Sequence, residues 1–330
     1  KNGHVLCMAS TPSYNPNKII KKPNKDYWNS ILENKLSPLT FRSIQGLYSP
    51  GSTFKMVVAI AALYHGVINE STSHFCGGKV SLGDRLYHCW KTNGHGTMNV
   101  ENAITESCDV FFYEISKQVG IDRISKVAKE FGLGQVYNIP LSNQKKGIIP
   151  SKKWKKENLD ESWYPGETLI SAIGQGFVLT NPLQLANMTS IIASDGKVIV
   201  PKLINDGKID NFKRLEKYKS AINVVKKSMF KVVNENKGTA FKSKSEEVNF
   251  SGKTGTSQVT RITVAERESE DFRKKEVEWN KRDHALFVGY MPYDEPKYSI
   301  SVVIEHGGSG ASTAAPIAKQ VFEFINKNKI

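Results

Sequence analysis

The stretch SPGSTFKMVVAIAALYHG (Ser49–Gly66) decides the fold. Pro50 and Gly51 form a turn, Ser52 is a good helix N-cap, and Gly66 is a stop signal. Between them Phe54–Leu63 is apolar nearly all round, the pattern of a helix inside a protein. Lys55 breaks that pattern. Residues three apart share a helix face, so its amine lies beside the Ser52 hydroxyl. A serine alcohol is a poor nucleophile until a base takes its proton, and a lysine is a base only when neutral. Burial and the positive end of the helix both push the Lys55 pKa down. Alone, Ser-x-x-Lys is common by chance, so it needs support elsewhere in the chain.

Residues 4–10 alternate like a half-buried strand, stopped by TPSYNPNK (Thr11–Lys18). Residues 17–46 read as polar and irregular. Residues 72–100, rich in Gly and short polar side chains, read as loop or hairpin. Amphipathic helices are expected near 110–119 and 122–131. Residues 134–165 look irregular, and another apolar helix starts near Pro182. From Val248 the period switches to two. VNFSGKTGTSQV (Val248–Val259) is a strand, and HALFVGYM (His284–Met291) and KYSISVVIEH (Lys297–His306) form a hairpin around PYDEP. Thr263–Asp283 is charged and reads as a mobile loop or an exposed helix. The chain ends in an amphipathic helix with Pro316 in its first turn. Strands at both ends with helices between them describe one interwoven α/β unit.

The 330 residues are long enough for a substantial core. Lys and Arg total 46 against 32 Asp and Glu, a net charge of +14. The lysines are spread along the chain, and no nucleic-acid-binding signature accompanies them. A nucleic-acid partner is therefore disfavoured against an anionic polymer, a membrane surface or a merely solvated exterior. The longest apolar run, Met56–Leu63, is far short of the ~20 residues a membrane span needs. The opening KNGHVLCMAS reads as a strand already under way, so an N-terminal anchor is expected outside this sequence.

Two further motifs bear chemistry. Ser107-Cys108-Asp109 opens a helix; its polar groups suit a proton relay, or plain capping. Lys253-Thr254-Gly255-Thr256 lies on the late strand, where Gly255 admits another backbone. Lys253 adds positive charge that would keep Lys55 neutral. In this order the three motifs resemble the penicillin-binding protein and serine β-lactamase superfamily. STPSYNPN (Ser10–Asn17), GLYSPGSTFK (Gly46–Lys55), AIGQGFVLTNPLQLANMTSIIASDG (Ala172–Gly196) and VVIEHGGSGASTAAPIA (Val302–Ala318) are similar to the transpeptidase domain of class B penicillin-binding proteins. Asp109, where many members carry Asn, resembles the penicillin-binding protein 2 subgroup of cell elongation.

The resemblance implies an α/β (α+β) transpeptidase fold, an antiparallel sheet flanked by helices. A sheet subdomain would come from about 1–50 and 240–330, with a helical subdomain about 51–239 inserted. It implies an enzyme that cross-links peptidoglycan stem peptides through a Ser52 acyl-enzyme and is inhibited by β-lactams. Lys55 would take the Ser52 proton, Ser107 would relay protons between Lys55, Lys253 and the leaving amine, and Asp109 would complete the second motif. Lys253, Thr254 and Thr256 would hold the substrate carboxylate beside Gly255, with backbone N–H groups of Ser52 and Thr256 as the oxyanion hole. It also implies a SEDS-family glycosyltransferase and elongation scaffold proteins as partners, and the periplasmic face of the inner membrane as location. A D,D-carboxypeptidase or β-lactamase-like hydrolase with the same motifs, or a non-catalytic β-lactam receptor, are the alternatives. No Glu-x-x-x-Asn segment lies between the second and third motifs, so rapid deacylation is not expected.

Cys76, Cys89, His95 and Cys108 follow the spacing C-x12-C-x5-H-x12-C. Three thiolates and an imidazole complete a tetrahedral structural zinc shell. The expectation is a Zn2+ that fastens the 76–95 loop to Ser107–Asp109 from behind, at positions where the resembled subgroup carries a metal. A Cys76–Cys89 disulfide is the alternative, and His74 and His88 are further candidate ligands.

Overall fold

The computed structural model describes residues 2–20, 24–205, 207, 211–260 and 277–330. Most of the charged segment 263–283 lies outside the described residues. Ahead of the motif helix come three short helices, α1 (Asn17–Ile20), α2 (Lys25–Leu32) and α3 (Arg42–Gln45). They occupy the segment expected to be irregular. Residues 4–10 are not a strand: a single bridge joins His4 to Lys202.

A 3-10 turn, Gly51–Phe54, leads into α4 (Lys55–Tyr64). From Lys55 to Ala62 every residue of α4 is buried. The expected all-round apolar helix is therefore the central one, and it ends before Gly66, whose φ is +66°. The 72–100 segment holds two ribbons: β1 (Ser73–Cys76) pairs with β4 (Gly96–Asn99), and β2 (Lys79–Leu82) pairs with β3 (Arg85–His88). Helices α5 (Val100–Thr105), α6 (Asp109–Val119) and α7 (Ile121–Glu130) follow. α7 buries Ile121, Ile124, Val127 and Ala128, the single stripe that its three-and-four spacing dictates.

The segment 134–165 was expected to be irregular, yet it contains α8 (Lys152–Leu159). Five of its eight residues are charged, so no apolar stripe marks it in the sequence. α9 (Pro165–Ala172) and α10 (Pro182–Ala193) open on proline. Asn181 caps α10 by accepting from the Gln184 N–H at 2.9 Å. α11 (Lys219–Asn234) buries Ala221, Ile222, Val225, Met229 and Val232.

β5 (Ser251–Ser257), β6 (His284–Met291) and β7 (Tyr298–Ile304) form one antiparallel sheet with β6 in the middle. Ala285–Met291 are all buried, the mark of a strand covered on both faces. α10 and α11 pack on this sheet, as does α12 (Ala315–Lys327), which carries Phe322 against Phe250. α4 packs against α6, α7 and α11, so the motif helix joins the helical layer to the sheet.

Between β7 and α12 lies a π-helical turn, Gly310–Ala314. A Cβ on Gly310 would meet the carbonyl oxygens of Gly255 and Leu286, each at 2.3 Å. Both obstacles are backbone, so neither yields cheaply. Gly310→Ala is expected to destabilise the fold by about 1–3 kcal/mol, lowering the thermal midpoint by several degrees. Scanning calorimetry of the two proteins checks this; equal midpoints would show that the turn can move off β5.

Candidate active site

The three motifs meet around one hydroxyl. Lys55 is fully buried, and its Nζ donates to Asp109 Oδ1 at 2.6 Å, to the Ser107 carbonyl at 2.9 Å and to Ser107 Oγ at 3.3 Å. Lys253 is equally buried, and its Nζ donates to Ser107 Oγ at 2.9 Å and to the Thr254 carbonyl at 3.1 Å. Ser107 Oγ thus stands between the amines of the first and third motifs. The Ser107 backbone has φ +59°, a left-handed conformation costing a β-carbon residue ~1–2 kcal/mol. The surrounding bonds hold it there, and strain of this kind clusters at functional sites.

Lys55 is ion-paired with Asp109. Burial, and then repulsion from Lys55, push the Lys253 amine well below its ordinary 10.5, against an upward pull from Asp109. The Asp109 carboxyl is itself pushed up by burial, against the pull of Lys55. Its second oxygen, Oδ2, accepts the backbone N–H of Trp90 at 2.8 Å.

Ser52 does not cap the helix. The residue ahead of the 3-10 turn is Pro50, and no side chain caps it. Among the described residues the half-buried Ser52 hydroxyl has no hydrogen-bond partner, so the nucleophile candidate is not consumed by local structure. In proteins without substrate such hydroxyls commonly await tightening of the site. The Ser52 turn touches the third motif directly. A Cβ on Gly51 would lie 2.5 Å from the Thr256 carbonyl oxygen, and one on Gly174 would lie 2.1 Å from the Gly51 carbonyl oxygen. Gly51 N–H donates to the Gly174 carbonyl at 2.9 Å. The adjoining Gln175 Nε2 donates to the Thr256 carbonyl at 3.2 Å.

Behind the second motif the candidate ligands converge. One ligand atom each from Cys76, Cys89, His95 and Cys108 lies within 4.8 Å of every other. His95 Nδ1 is 3.6 Å from Cys76 Sγ and 3.5 Å from Cys89 Sγ. Zn–S near 2.3 Å and Zn–N near 2.0 Å make a tetrahedral S···N edge of about 3.5 Å, so the set fits zinc. All four cysteines of the chain are free thiols, and His74 and His88 stand outside the group. The neighbouring Cys108 thiol pulls Cys89 down, and Cys108, buried against it, is pushed up. Cys89 Sγ in turn accepts the Asp109 backbone N–H at 3.3 Å. The cluster and the Lys55 network therefore share one residue pair, Cys89-Trp90 against Asp109.

Sequence reading missed Trp90, Gln175 and Thr239. The Trp90 indole N–H donates to the Ser107 carbonyl at 3.0 Å, and Thr239 Oγ1 lies 2.7 Å from Thr254 Oγ1. Trp90 follows a candidate ligand and Gln175 lies in a quoted family-like segment, so both had a signal. Thr239 had none.

A helical layer and an antiparallel sheet thus meet at Ser-x-x-Lys, Ser-x-Asp and Lys-Thr-Gly. The chain belongs to the penicillin-binding protein transpeptidase domain family, whose model matches residues 1–323. It is 34% identical to the peptidoglycan D,D-transpeptidase MrdA of Haemophilus influenzae, over all of this chain and 52% of the relative. It is 32% identical to MrdA of Escherichia coli K12, over 98% of this chain and 53% of that one. The chain thus spans about half the length of the curated relatives it matches. Among solved structures it is similar to penicillin-binding protein 2 of Helicobacter pylori in complex with MreC. That match has a TM-score of 0.89 at 32% identity, covering 99% of this chain and 58% of the other. Penicillin-binding protein 2 of Pseudomonas aeruginosa, in complex with WCK 5153, gives 0.85 at 34% identity, covering 98% and 68%.

The lowered Lys253 pKa has a thermodynamic sign. As pH falls below 10.5 the unfolded chain takes the proton first, so folded stability declines until pH passes the folded-state value. Relative to Lys253→Met, the wild-type protein should lose up to about 1.4 kcal/mol per pH unit on acidification from pH ~10. Urea unfolding across that range measures it, and parallel curves would mean that Lys253 keeps its ordinary value.

Proposed function

We propose that this chain is the catalytic domain of a peptidoglycan D,D-transpeptidase. The observation that carries the reading is Ser107 Oγ held between Lys55 of the first motif and Lys253 of the third. Ser52 attacks the D-Ala–D-Ala amide of a stem peptide, and Lys55 receives its proton. Lys55 is a base only once its own proton has left it; Asp109, whose carboxyl burial pushes up, is in contact to take that proton, and Ser107 Oγ links Lys55 to Lys253. Backbone N–H groups of Ser52 and Thr256 stabilise the oxyanion, a contribution of ~10²–10³ in rate per donor. Ser107 returns the proton to the leaving D-Ala amine. Lys253, Thr254 and Thr256 hold the substrate carboxylate, and Gly255 lets β5 lie against the Ser52 turn. An amine of a second stem peptide then takes the acyl group. A β-lactam, which imitates the substrate, stops at the acyl-enzyme.

Cys76, Cys89, His95 and Cys108 would hold a structural zinc ion, which supplies a cross-link between the 76–95 loop and the second motif. The shell favours this because Cys89 also accepts the Asp109 N–H. Sheet and helical subdomains with boundaries near 51 and 239 complete the reading. The similarity to a penicillin-binding protein 2 bound to MreC, and to a peptidoglycan synthase complex of polymerisation and cross-linking, supports scaffold and SEDS-type glycosyltransferase partners. No helix among the described residues is long and apolar enough to cross a membrane. A place at the periplasmic face of the inner membrane fits the family.

A fluorescent penicillin is expected to label the protein stably and Ser52→Ala not at all. Ser107→Ala should slow labelling ~10²–10⁴-fold. Labelling of Ser52→Ala at the wild-type rate would remove the nucleophile, and rapid release of hydrolysed drug would make the protein a hydrolase. Elemental analysis should find about one zinc per chain, lost in Cys89→Ser with a lowered thermal midpoint. A chain free of metal with a mapped Cys76–Cys89 disulfide would end the zinc assignment.

A further inference from the structure

Two features flank the motifs outside the chemistry above. One is a cavity of about 430 Å³ lined by Trp90, Glu106 and Thr239. The other is an aromatic cluster built on a buried cation. Lys155 of α8 is 1% exposed, and its Nζ is paired with Glu167 and Glu161. The same Nζ lies over two rings, 4.6 Å from the centroid of Tyr164 and 5.8 Å from that of Phe177. Trp154 and Trp163 pack on Phe177 with centroids 5.4 and 6.3 Å away. The cluster is not a closed core. Trp154, Trp163 and Phe177 are half-buried, and Tyr164 is 60% exposed. The cation under its ring pins Tyr164 at the surface. The cluster is also joined to the site. Phe177 ends a loop whose Gly174 carbonyl accepts the Gly51 N–H and whose Gln175 side chain donates to the Thr256 carbonyl. From Gly174 to Phe177 the chain reaches at most about 11 Å.

We infer that the cluster around Lys155 is a platform for the glycan strand that carries the donor stem peptide, and that its occupant is a neutral N-acetylated amino sugar. The inference rests on the transpeptidase reading. The acyl side of a stem peptide is roughly four residues long and spans at most about 14 Å when extended, so its sugar lies within that radius of Ser52. β5 is the edge of its sheet, with β6 as its neighbour, so a peptide held at Thr254 and Thr256 has an open side along which to leave. The loop ending at Phe177 stands on that side, because Gln175 reaches the Thr256 carbonyl. A pyranose ring carries a face of slightly positive C–H bonds, which packs on the negative face of an aromatic ring. Tyr164 offers such a ring already fixed in place, so little freedom is lost on binding. The charges agree with this occupant. A free ammonium would favour an anion, but Lys155 is already met by two carboxylates. Of these Glu161 is exposed and offers acceptor oxygens to sugar hydroxyls.

The test compares two ligands that differ only in the sugar: a stem pentapeptide ending in D-Ala–D-Ala, and the same peptide carrying its disaccharide. Each is titrated for protection of Ser52 against a fluorescent penicillin. The readout is the ratio of the two half-protecting concentrations. In the wild-type protein the disaccharide should lower that concentration about fivefold, the scale of one aromatic stacking contact. Tyr164→Ala should bring the ratio close to one, and Tyr164→Phe, which keeps the ring, should preserve it. Melting curves report the fold of each variant, and the ratio is taken within each protein, so a general loss of stability leaves it unmoved. A wild-type ratio of one, protection by neither ligand, or an undiminished ratio in Tyr164→Ala would overturn the platform. So would a loss in Tyr164→Phe as large as in Tyr164→Ala. Failure of the wild-type protein to take up penicillin at Ser52 would instead count against the transpeptidase reading itself, which is a distinguishable result.

Discussion

Two lysine amines buried in one interior, with a single carboxylate to share, are the constraint on which the site depends. A buried ammonium is costly unless paired, so the Lys55–Asp109 contact at 2.6 Å is a condition for the motif helix to be buried at all. With Asp109 committed to Lys55, Lys253 lies buried beside a like charge, and its proton is loosely held. The hydroxyl between the two amines is the shortest path for that proton. The proposed proton path and folding thus draw on the same few contacts, and the left-handed backbone at Ser107 is part of their geometry.

The second requirement is close approach of three backbones. The Ser52 turn, the loop at Gly174 and strand β5 meet with no room for a β-carbon at the contact points. Such contacts hold the candidate nucleophile Ser52 in place against strand β5. The sheet supplies rigidity from behind, since β6 is buried along its length between β5 and β7. The thiol and imidazole cluster gives the second motif comparable support from the opposite side, through the Asp109 N–H to Cys89 and the Trp90 N–H to Asp109. One dipeptide, Cys89-Trp90, therefore links the candidate metal shell, the Asp109 carboxylate and the wall of the neighbouring cavity.

Much of this was legible along the chain. An apolar helix with one lysine in its first turn, a glycine-bearing strand and four spaced ligands are local patterns, and each has a physical cause that operates over a few residues. The sequence by itself determined which side chains are candidates for the chemistry and which elements bear them. Less local features were hidden. The strand expected at 4–10 reduces to one bridge at His4, because alternation alone does not supply a neighbouring strand. The charged helix Lys152–Leu159 shows no apolar stripe, and the capping role read for Ser52 disappears because a 3-10 turn starts one residue earlier. Only the tertiary structure decided which amine loses its proton affinity, that Trp90 and Thr239 border the site, and that both line one cavity. The reason is that burial, Coulomb interaction and concavity are sums over atoms far apart in the chain. Residue order fixes the terms of those sums, and folding alone fixes the distances between them.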